Sequence, residues 1–414
     1  MRIAIVGSGI SGLGAAYLLS AQHDVSVFEA NDYIGGHTHT HDIEVAGKSY
    51  AVDTGFIVFN PAHYPNLIKL FAELAVASQP TIMSFGINNA RSGVEYNATN
   101  LNSLFCQRQN LFKPSFLRMA YDITRFYREA KTLLNVADPG PSLGEYLIEN
   151  RYSRWFRDDH IVPMASELWS SPSTKILEFP AKYLVQFMDN HRMMDLGERA
   201  AWSVVCGGSQ TYVRALLAKL PANVHLNAPV SEVRRGAQGA SLKVGGETLR
   251  FDQVIFACHS DQALKALGDP SDAERELLSA LKFQENETIL HTDTSLMPRT
   301  RKAWAAWNAH LVDPNAEHCT VTYWMNLLQG IQAPVEFLVS LNCAERIDPS
   351  KILRRMRYHH PVYTQATVAA QRRRNEINGV NSTWYCGAYW GFGFHEDGLR
   401  SAVEVARGLG VVWQ

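Results

Sequence analysis

The segment RIAIVGSGISGLG, residues 2–14, constrains this chain more than any other. Arg2 to Val6 is a short, continuously apolar, β-branched run, the pattern of a parallel strand buried on both faces. A glycine turn follows at once. Gly7 permits the tight turn, Gly9 lets a pyrophosphate approach the backbone, and Gly12 lets the next helix pack against the strand. Ile10 and Ser11 lie between them, where backbone N–H groups and the positive end of the helix dipole face the phosphates. Leu13 to Ser20 continues as that helix. Val25 to Glu29 is the second strand, ending in an acid seventeen residues after Gly12. Glu29 is placed to accept hydrogen bonds from a ribose diol, with Ala30 beside it. A glycine-rich turn without a ligand would leave that acid unexplained, so the ordered series predicts a dinucleotide site.

Gly35 and Gly36 come next, and Asp53-Thr54-Gly55 closes a hairpin-like stretch. Here the chain resembles the flavin-containing amine oxidase superfamily, whose members continue from the ribose acid to a paired glycine beside the FAD diphosphate. That pair usually precedes Arg; in this chain it precedes His37. The resemblance implies FAD as cofactor and an α/β fold: a Rossmann-like FAD-binding domain of the amine oxidase type with an α+β substrate domain containing an antiparallel sheet.

The far end of the chain closes the same expected site. Trp384 to Gly387 reads as a strand ending in glycine, followed by the loop AYWGFGF, the cluster His395-Glu396-Asp397-Gly398, and a helix from Leu399 to Arg407. In the superfamily this unit aims its helix at the flavin and ribitol end of FAD, and Gly387, Asp397, Gly398 and Leu399 match the contacting positions. Val224 to Val233 resembles the strand pair whose backbone, near Val230, meets the adenine, and Phe251 to Cys258 a later strand against the nucleotide. Cys206-Gly207-Gly208 marks the crossing back from the substrate region. The expected FAD domain is therefore discontinuous, residues 1–75, 200–268 and 376–414, with 76–199 and 269–375 forming the substrate domain.

Between these pieces, Pro65 to Ala77 and Phe112 to Leu134 have helical periodicity, as do stretches near Ser142 and Lys182. Residues 285–293, 319–326 and 335–342 look extended and suggest an antiparallel sheet roofing the flavin. Aromatic residues crowd the second half, among them Trp304, Trp307, Tyr323, Trp324, Tyr389 and Trp390. They serve as core, or in part as the lining of an apolar substrate tunnel.

Thirty-nine basic against 40 acidic residues leave a net charge of −1 and remove the electrostatic case for a nucleic-acid partner. The six cysteines, Cys106, Cys206, Cys258, Cys319, Cys343 and Cys386, lie far apart without a C-x-x-C pair, which reads as reduced thiols in a cytoplasmic protein. Ordered glycines argue against a signal peptide in residues 1–19, and no apolar stretch reaches the roughly 20 residues of a membrane-spanning helix.

Several polar residues admit two readings. His37, His39 and His41 alternate and would share one face of a strand, as metal ligands or as a flavin-side or surface strand; the expectation is no metal. Asp53 is expected to anchor the cofactor loop. His395 takes the place where amine oxidases put one aromatic of the cage before the flavin, and is the catalytic candidate as an acid, base or orienting group, against a satisfied structural imidazole. Amine oxidases commonly hold a water near the flavin with a strand lysine. The matching stretch, Asn286 to His291, has none; Lys282 precedes it, and His291 is a substitute candidate. Basic runs at 354–360, 371–376 and along Phe112 to Lys131 read as solvated helix faces, or, beside Phe112, Phe116 and Leu117, as a peripheral membrane contact.

Across nearly the whole chain, VDTGFIVFNPAHYPNL, LHTDTSLMPRTRKAWAAWN, YWMNLLQ and CGAYWGFGFHEDGLRSA resemble a branch of NAD/FAD-binding oxidoreductases associated with cyclopropane-fatty-acid synthases. That resemblance implies hydride transfer to or from an apolar substrate such as an unsaturated or methylated fatty acyl chain, with a synthase-like methyltransferase as functional partner. A flavin amine oxidase acting on a small amine or polyamine, and a non-catalytic FAD-fold binding or escort protein, are the other readings.

Overall fold

A computed structural model describes residues 1–137, 140–169, 171–195, 201–236, 238–311 and 320–414. Its nucleotide half is built on a five-stranded parallel sheet in the spatial order Asn223–His225, Asp24–Phe28, Arg2–Val6, Gln253–Phe256, Thr383–Tyr385. The apolar run Ile3, Ala4 and Ile5 is fully buried at its centre, because both faces are covered. Helix Ile10–Leu19 lies on one face, with helix His395–Gly408 packed against it. Both helices begin earlier than the sequence pattern suggested, since backbone geometry extends them through the glycine turn and through His395-Glu396-Asp397.

A three-stranded antiparallel meander, Val230–Gly236, Gly239–Val244 and Glu247–Phe251, rises beside this sheet. The stretch expected as one strand from Phe251 to Cys258 is in fact two. The chain turns at Asp252, whose carboxylate accepts the Arg2 backbone N–H at 2.7 Å, so Phe251 ends the meander and Gln253 starts the parallel strand.

The second half carries a seven-stranded sheet ordered Ile352–Val362, Lys282–His291, Leu338–Leu341, Val321–Trp324, Trp307–Leu311, Phe85–Asn89, Val94–Asn97. All pairs are antiparallel except Trp307–Leu311 with Phe85–Asn89. Helices Pro114–Glu129, Val162–Trp169 and Ala181–Asn190 enclose a separate aromatic core that includes Phe116, Phe126, Phe156, Phe179 and Phe187.

Two expectations are corrected here. The basic run at 354–360 is no helix face but part of the edge strand Ile352–Val362, paired along Lys282–His291; alternation of Arg355 and Arg357 outward with Tyr358 buried is a strand period that charge content alone concealed. Phe116 is fully buried, whereas Phe112 is 87% exposed and Leu117 43% exposed. The expected boundary at residues 199 and 200, together with residue 319 of the third expected strand, lies outside the described residues. Five cysteines, all but Cys319, are free thiols.

Candidate active site

One continuous cavity of about 1180 Å³ runs from the glycine turn to the aromatic core of the second half. That exceeds the roughly 300–1,000 Å³ of ordinary ligand sites, leaving room for a dinucleotide and a second molecule.

At the nucleotide end, Gly9 precedes the first turn of its helix, and a Cβ there would meet no atom within 4 Å. The space is open on the cavity side, as a pyrophosphate requires. Gly7 and Gly12 have the opposite surroundings. At Gly7 (φ +106°) a Cβ would press on the Ala257 carbonyl oxygen at 2.9 Å, and at Gly12 it would lie 2.0 Å from the Gly7 carbonyl oxygen. Gly7, Gly9, Ile10 and Ser11 line the cavity; Gly12 holds strand and helix together behind it.

Glu29 is buried, and its carboxylate accepts four bonds: Ser8 N–H at 3.0 Å and Ser8 hydroxyl at 2.6 Å on one oxygen, Asn31 N–H and Asn31 Nδ2 at 2.9 Å each on the other. Four donors fill a carboxylate's lone-pair sites. A ribose hydroxyl reaching Glu29 would therefore replace one of the two side-chain donors. Ala30 lines the cavity beside it, and the backbone of Glu29 pairs with His225 and Ala228, which brings Ala228, Pro229, Val230 and Ser231 to the same wall. The meander's register slips between Val230 and Glu232, freeing this edge from regular pairing.

Gly36 approaches the Gly9 Cα so closely that a Cβ on it would lie 3.0 Å away, and Gly55 packs against the His37 carbonyl. Gly36, His37 and Gly55 line the cavity, while Gly35 does not; its N–H donates to the Ser8 hydroxyl at 3.3 Å. His37 lies in a turn ahead of strand Thr40–Val45, so the three alternating histidines do not share one strand face. His39 and His41 are paired at 4.1 Å between ring centroids, whereas His37 joins Tyr358 at 5.2 Å and His360 at 5.4 Å.

That grouping was not legible in the sequence. His259, His360 and His37 all face the cavity, supplied by the end of a parallel strand, an edge strand and the paired-glycine turn. Burial pushes His37 down to about 4 and His259 and His360 down to about 3, so all three are neutral imidazoles. Nε2 of His37 is buried without a hydrogen-bond partner among the described residues. The signal for His259 was its position just past the carboxyl end of a parallel strand, where such sheets bind ligands.

At the closing unit, Gly387, Gly393, Phe394 and His395 line the cavity. Asp397, Gly398 and Leu399 do not. The Asp397 carboxylate accepts the N–H groups of Phe392 at 3.0 Å and Phe394 at 3.1 Å, and so clamps the aromatic-glycine loop. A Cβ at Gly398 would strike the Ser11 hydroxyl at 2.8 Å, and Leu399 packs where a Cβ at Gly14 would be. These three residues position the wall from behind, joining the two chain ends.

His395 stacks on Phe56 at 3.6 Å, and its Nε2 shares hydrogen bonds with Thr38 at 3.0 Å and Tyr212 at 3.2 Å. Its ring touches the cavity, yet surrounding protein lowers it to about 3. It is a held, neutral aromatic. Asp53 is an anchor: it accepts Ser209 N–H and hydroxyl, Thr40 hydroxyl and Gln329 Nε2, tying the hairpin to the Cys206-Gly207-Gly208 crossing, and burial pushes it up to about 6. His291 is outside the site. It is fully buried in the sheet, bonded to Ser340 at 2.8 Å and to the Asp293 N–H at 3.0 Å, and its place toward the cavity is taken by Thr288. Strand alternation decides this, because residues 288 and 291 face opposite sides.

Residues 10–300 match the family model for flavin containing amine oxidoreductase. The chain belongs to that family. Its cofactor is FAD, and the open space beside the Gly9 backbone, the buried Glu29 carboxylate at the end of the second parallel strand and a second chain end closing over the same cavity fit that group. An L-amino-acid oxidase of Siganus canaliculatus is 24% identical over 315 residues, 71% of this chain and 57% of that protein. The chain thus spans little more than half the length of this curated relative. Among solved structures, a putative protoporphyrinogen oxidase from Exiguobacterium sp. 255-15 overlays with a TM-score of 0.70 at 16% identity, over 99% of this chain and 98% of that one. A CLA-producing fatty acid isomerase from P. acnes gives 0.67 at 17% identity, over 98% of each chain. At these identities the likeness is one of fold.

Proposed function

We propose that this protein is an FAD-dependent oxidoreductase that moves hydride between the flavin and an apolar substrate, with an unsaturated or methylated fatty acyl chain as the substrate class. The observation that carries the reading is the lobe continuing from the nucleotide end. Met83, Phe85, Met164, Leu168, Trp307 and Tyr323 line it, and Thr288 stands on the strand where amine oxidases carry a lysine. When bound, the flavin supplies the redox chemistry. The chain's task is to hold a substrate carbon against it, and an apolar wall does so while excluding water. His395, clamped by Thr38 and Tyr212 against Phe56, orients the substrate as a flat aromatic surface.

The fatty acid isomerase shares this fold, which supports a long apolar substrate as compatible with it. We assign the FAD domain to residues 1–75, 200–268 and 376–414, and cofactor contacts to the cavity-lining residues among those named above. Exposed Phe112, Leu117 and Tyr121 beside Lys113 and Arg118 form the membrane-contacting face in this scheme, and a cyclopropane-synthase-like methyltransferase is the partner that would supply methylated chains. No helix among the described residues is long and apolar enough to cross a membrane.

Amine oxidation is the second reading, favoured by the amino-acid oxidase relative. Anaerobic mixing of the FAD-loaded protein with fatty acyl lipids or with amines, followed by flavin absorbance near its long-wavelength band, separates the two. Bleaching by lipid is the expected result; bleaching by amines alone would refute the lead reading.

A further inference from the structure

In the wall of the apolar lobe, one imidazole nitrogen and one carboxyl group have no hydrogen-bond partner among the described residues. A single π-helical turn, Arg157–Ile161, runs directly into helix Val162–Trp169. Such turns are rare and occur often at functional sites. Through it His160, Met164 and Glu167 all line the cavity wall, on one helical face as their spacing requires, the His160 and Glu167 side chains with almost no surface open to it.

His160 is fully buried. The Tyr96 hydroxyl gives its only proton to the Asp159 carbonyl oxygen at 2.6 Å, so its contact with His160 Nδ1 at 3.0 Å must be donated by the ring. The proton therefore sits on Nδ1, and Nε2 is a bare acceptor, buried without a partner among the described residues. Glu167 is 1% exposed, and both of its carboxyl oxygens are likewise buried and unpartnered. Burial raises Glu167 well above the usual carboxylate range and lowers His160 to about 3, with no charged neighbour contributing to either shift. Glu167 is thus a neutral acid with a proton to donate, two turns along the helix from a neutral acceptor.

We propose that His160 and Glu167 form a recognition site for an uncharged hydroxyl carried on an apolar chain, the hydroxyl donating to His160 Nε2 and accepting from Glu167. A hydroxyl matches both groups without bringing charge into the lobe. An ammonium would ionise Glu167 and bury an ion pair where no other donor solvates it. A carboxylate would set a second acid beside Glu167; the cations of the cavity lining, Lys265, Arg357 and exposed Arg192, suit that group instead. The proposal narrows the substrate class given above and rests on the reading of this lobe as the substrate pocket.

Trp202 and Trp307 line the cavity, so tryptophan fluorescence reports occupancy. The FAD-loaded protein is titrated with 1-octanol, methyl heptyl ether, octylamine and octanoate. Octanol is expected to bind about tenfold or more tightly than the ether, which cannot donate. Glu167→Gln, which still donates through its amide, keeps octanol affinity within about threefold. Glu167→Leu removes the octanol preference, and its thermal midpoint shows that it folds. Equal affinity for octanol and ether overturns the hydroxyl site while leaving an apolar pocket standing. Preference for octylamine, abolished in Glu167→Gln, overturns it in favour of an ion-pair site, and preference for octanoate overturns it in favour of an acid site. Quenching by none of the four overturns both this inference and the substrate reading beneath it.

Discussion

Replacing Gly9 by alanine separates binding from folding. Gly9 has φ −67° and ψ −178°, which alanine adopts freely, and the added Cβ would find no atom within 4 Å. The FAD-free variant is therefore expected to be as stable as the parent, or more stable by about 0.4–1 kcal/mol through the smaller entropy of its unfolded chain. The same methyl group stands in the cavity where the pyrophosphate must approach the backbone. Forcing a methyl into a filled site costs about 1–3 kcal/mol, which at about 1.4 kcal/mol per tenfold weakens FAD by roughly 5- to 150-fold. Gly12→Ala is the contrasting case, because its Cβ would lie 2.0 Å from the Gly7 carbonyl oxygen, a contact between two backbone segments. That variant should lose stability with or without cofactor. The assay is FAD titration of deflavinated protein by quenching of flavin fluorescence, with thermal melts of the cofactor-free chains. A Gly9→Ala protein that binds FAD with unchanged affinity would refute the assignment of this turn to the phosphates.

Glu29→Gln leaves an amide where four donors converge; losing charge-assisted bonds of about 1.5–3 kcal/mol, it should lower the thermal midpoint even without FAD, and an unchanged midpoint would contradict the bonding described. His310 is buried, bonded to Thr322, and pushed down to about 3, so the unfolded chain binds its proton first and stability falls as pH drops below the free value of about 6.5. Between pH 6.5 and 5 that one group costs about 1.6 kcal/mol, and His310→Gln should reduce the acid-induced loss by that amount in urea unfolding at the two pH values. His395→Phe tests the role of that ring: retention of flavin reduction within about threefold fits an orienting aromatic, whereas a drop of about 10²–10⁴-fold would mark a general acid or base.

Much of the nucleotide end was written in local spacing. Strand, glycine turn, helix and terminal acid require only neighbouring residues to agree, and Gly7, Gly9, Glu29 and Gly387 came together where their order implied. The same logic overreached at Asp397, Gly398 and Leu399, whose side toward the cavity depends on how one helix lies on another. It failed at residues 352–362, where basic residues masked an edge strand, and at His291, which points into the sheet.

The amino-acid sequence by itself determined the parallel strands, the helix behind the phosphate turn and the family of the cofactor, since each follows from periodicity or from glycines whose backbone requirements are local. Only the tertiary structure decided which imidazoles meet at the cavity and that His160 Nε2 and the Glu167 carboxyl oxygens lack partners among the described residues. Hydrogen-bond satisfaction and desolvation depend on atoms brought together from distant parts of the chain, and a one-dimensional pattern does not contain those neighbours.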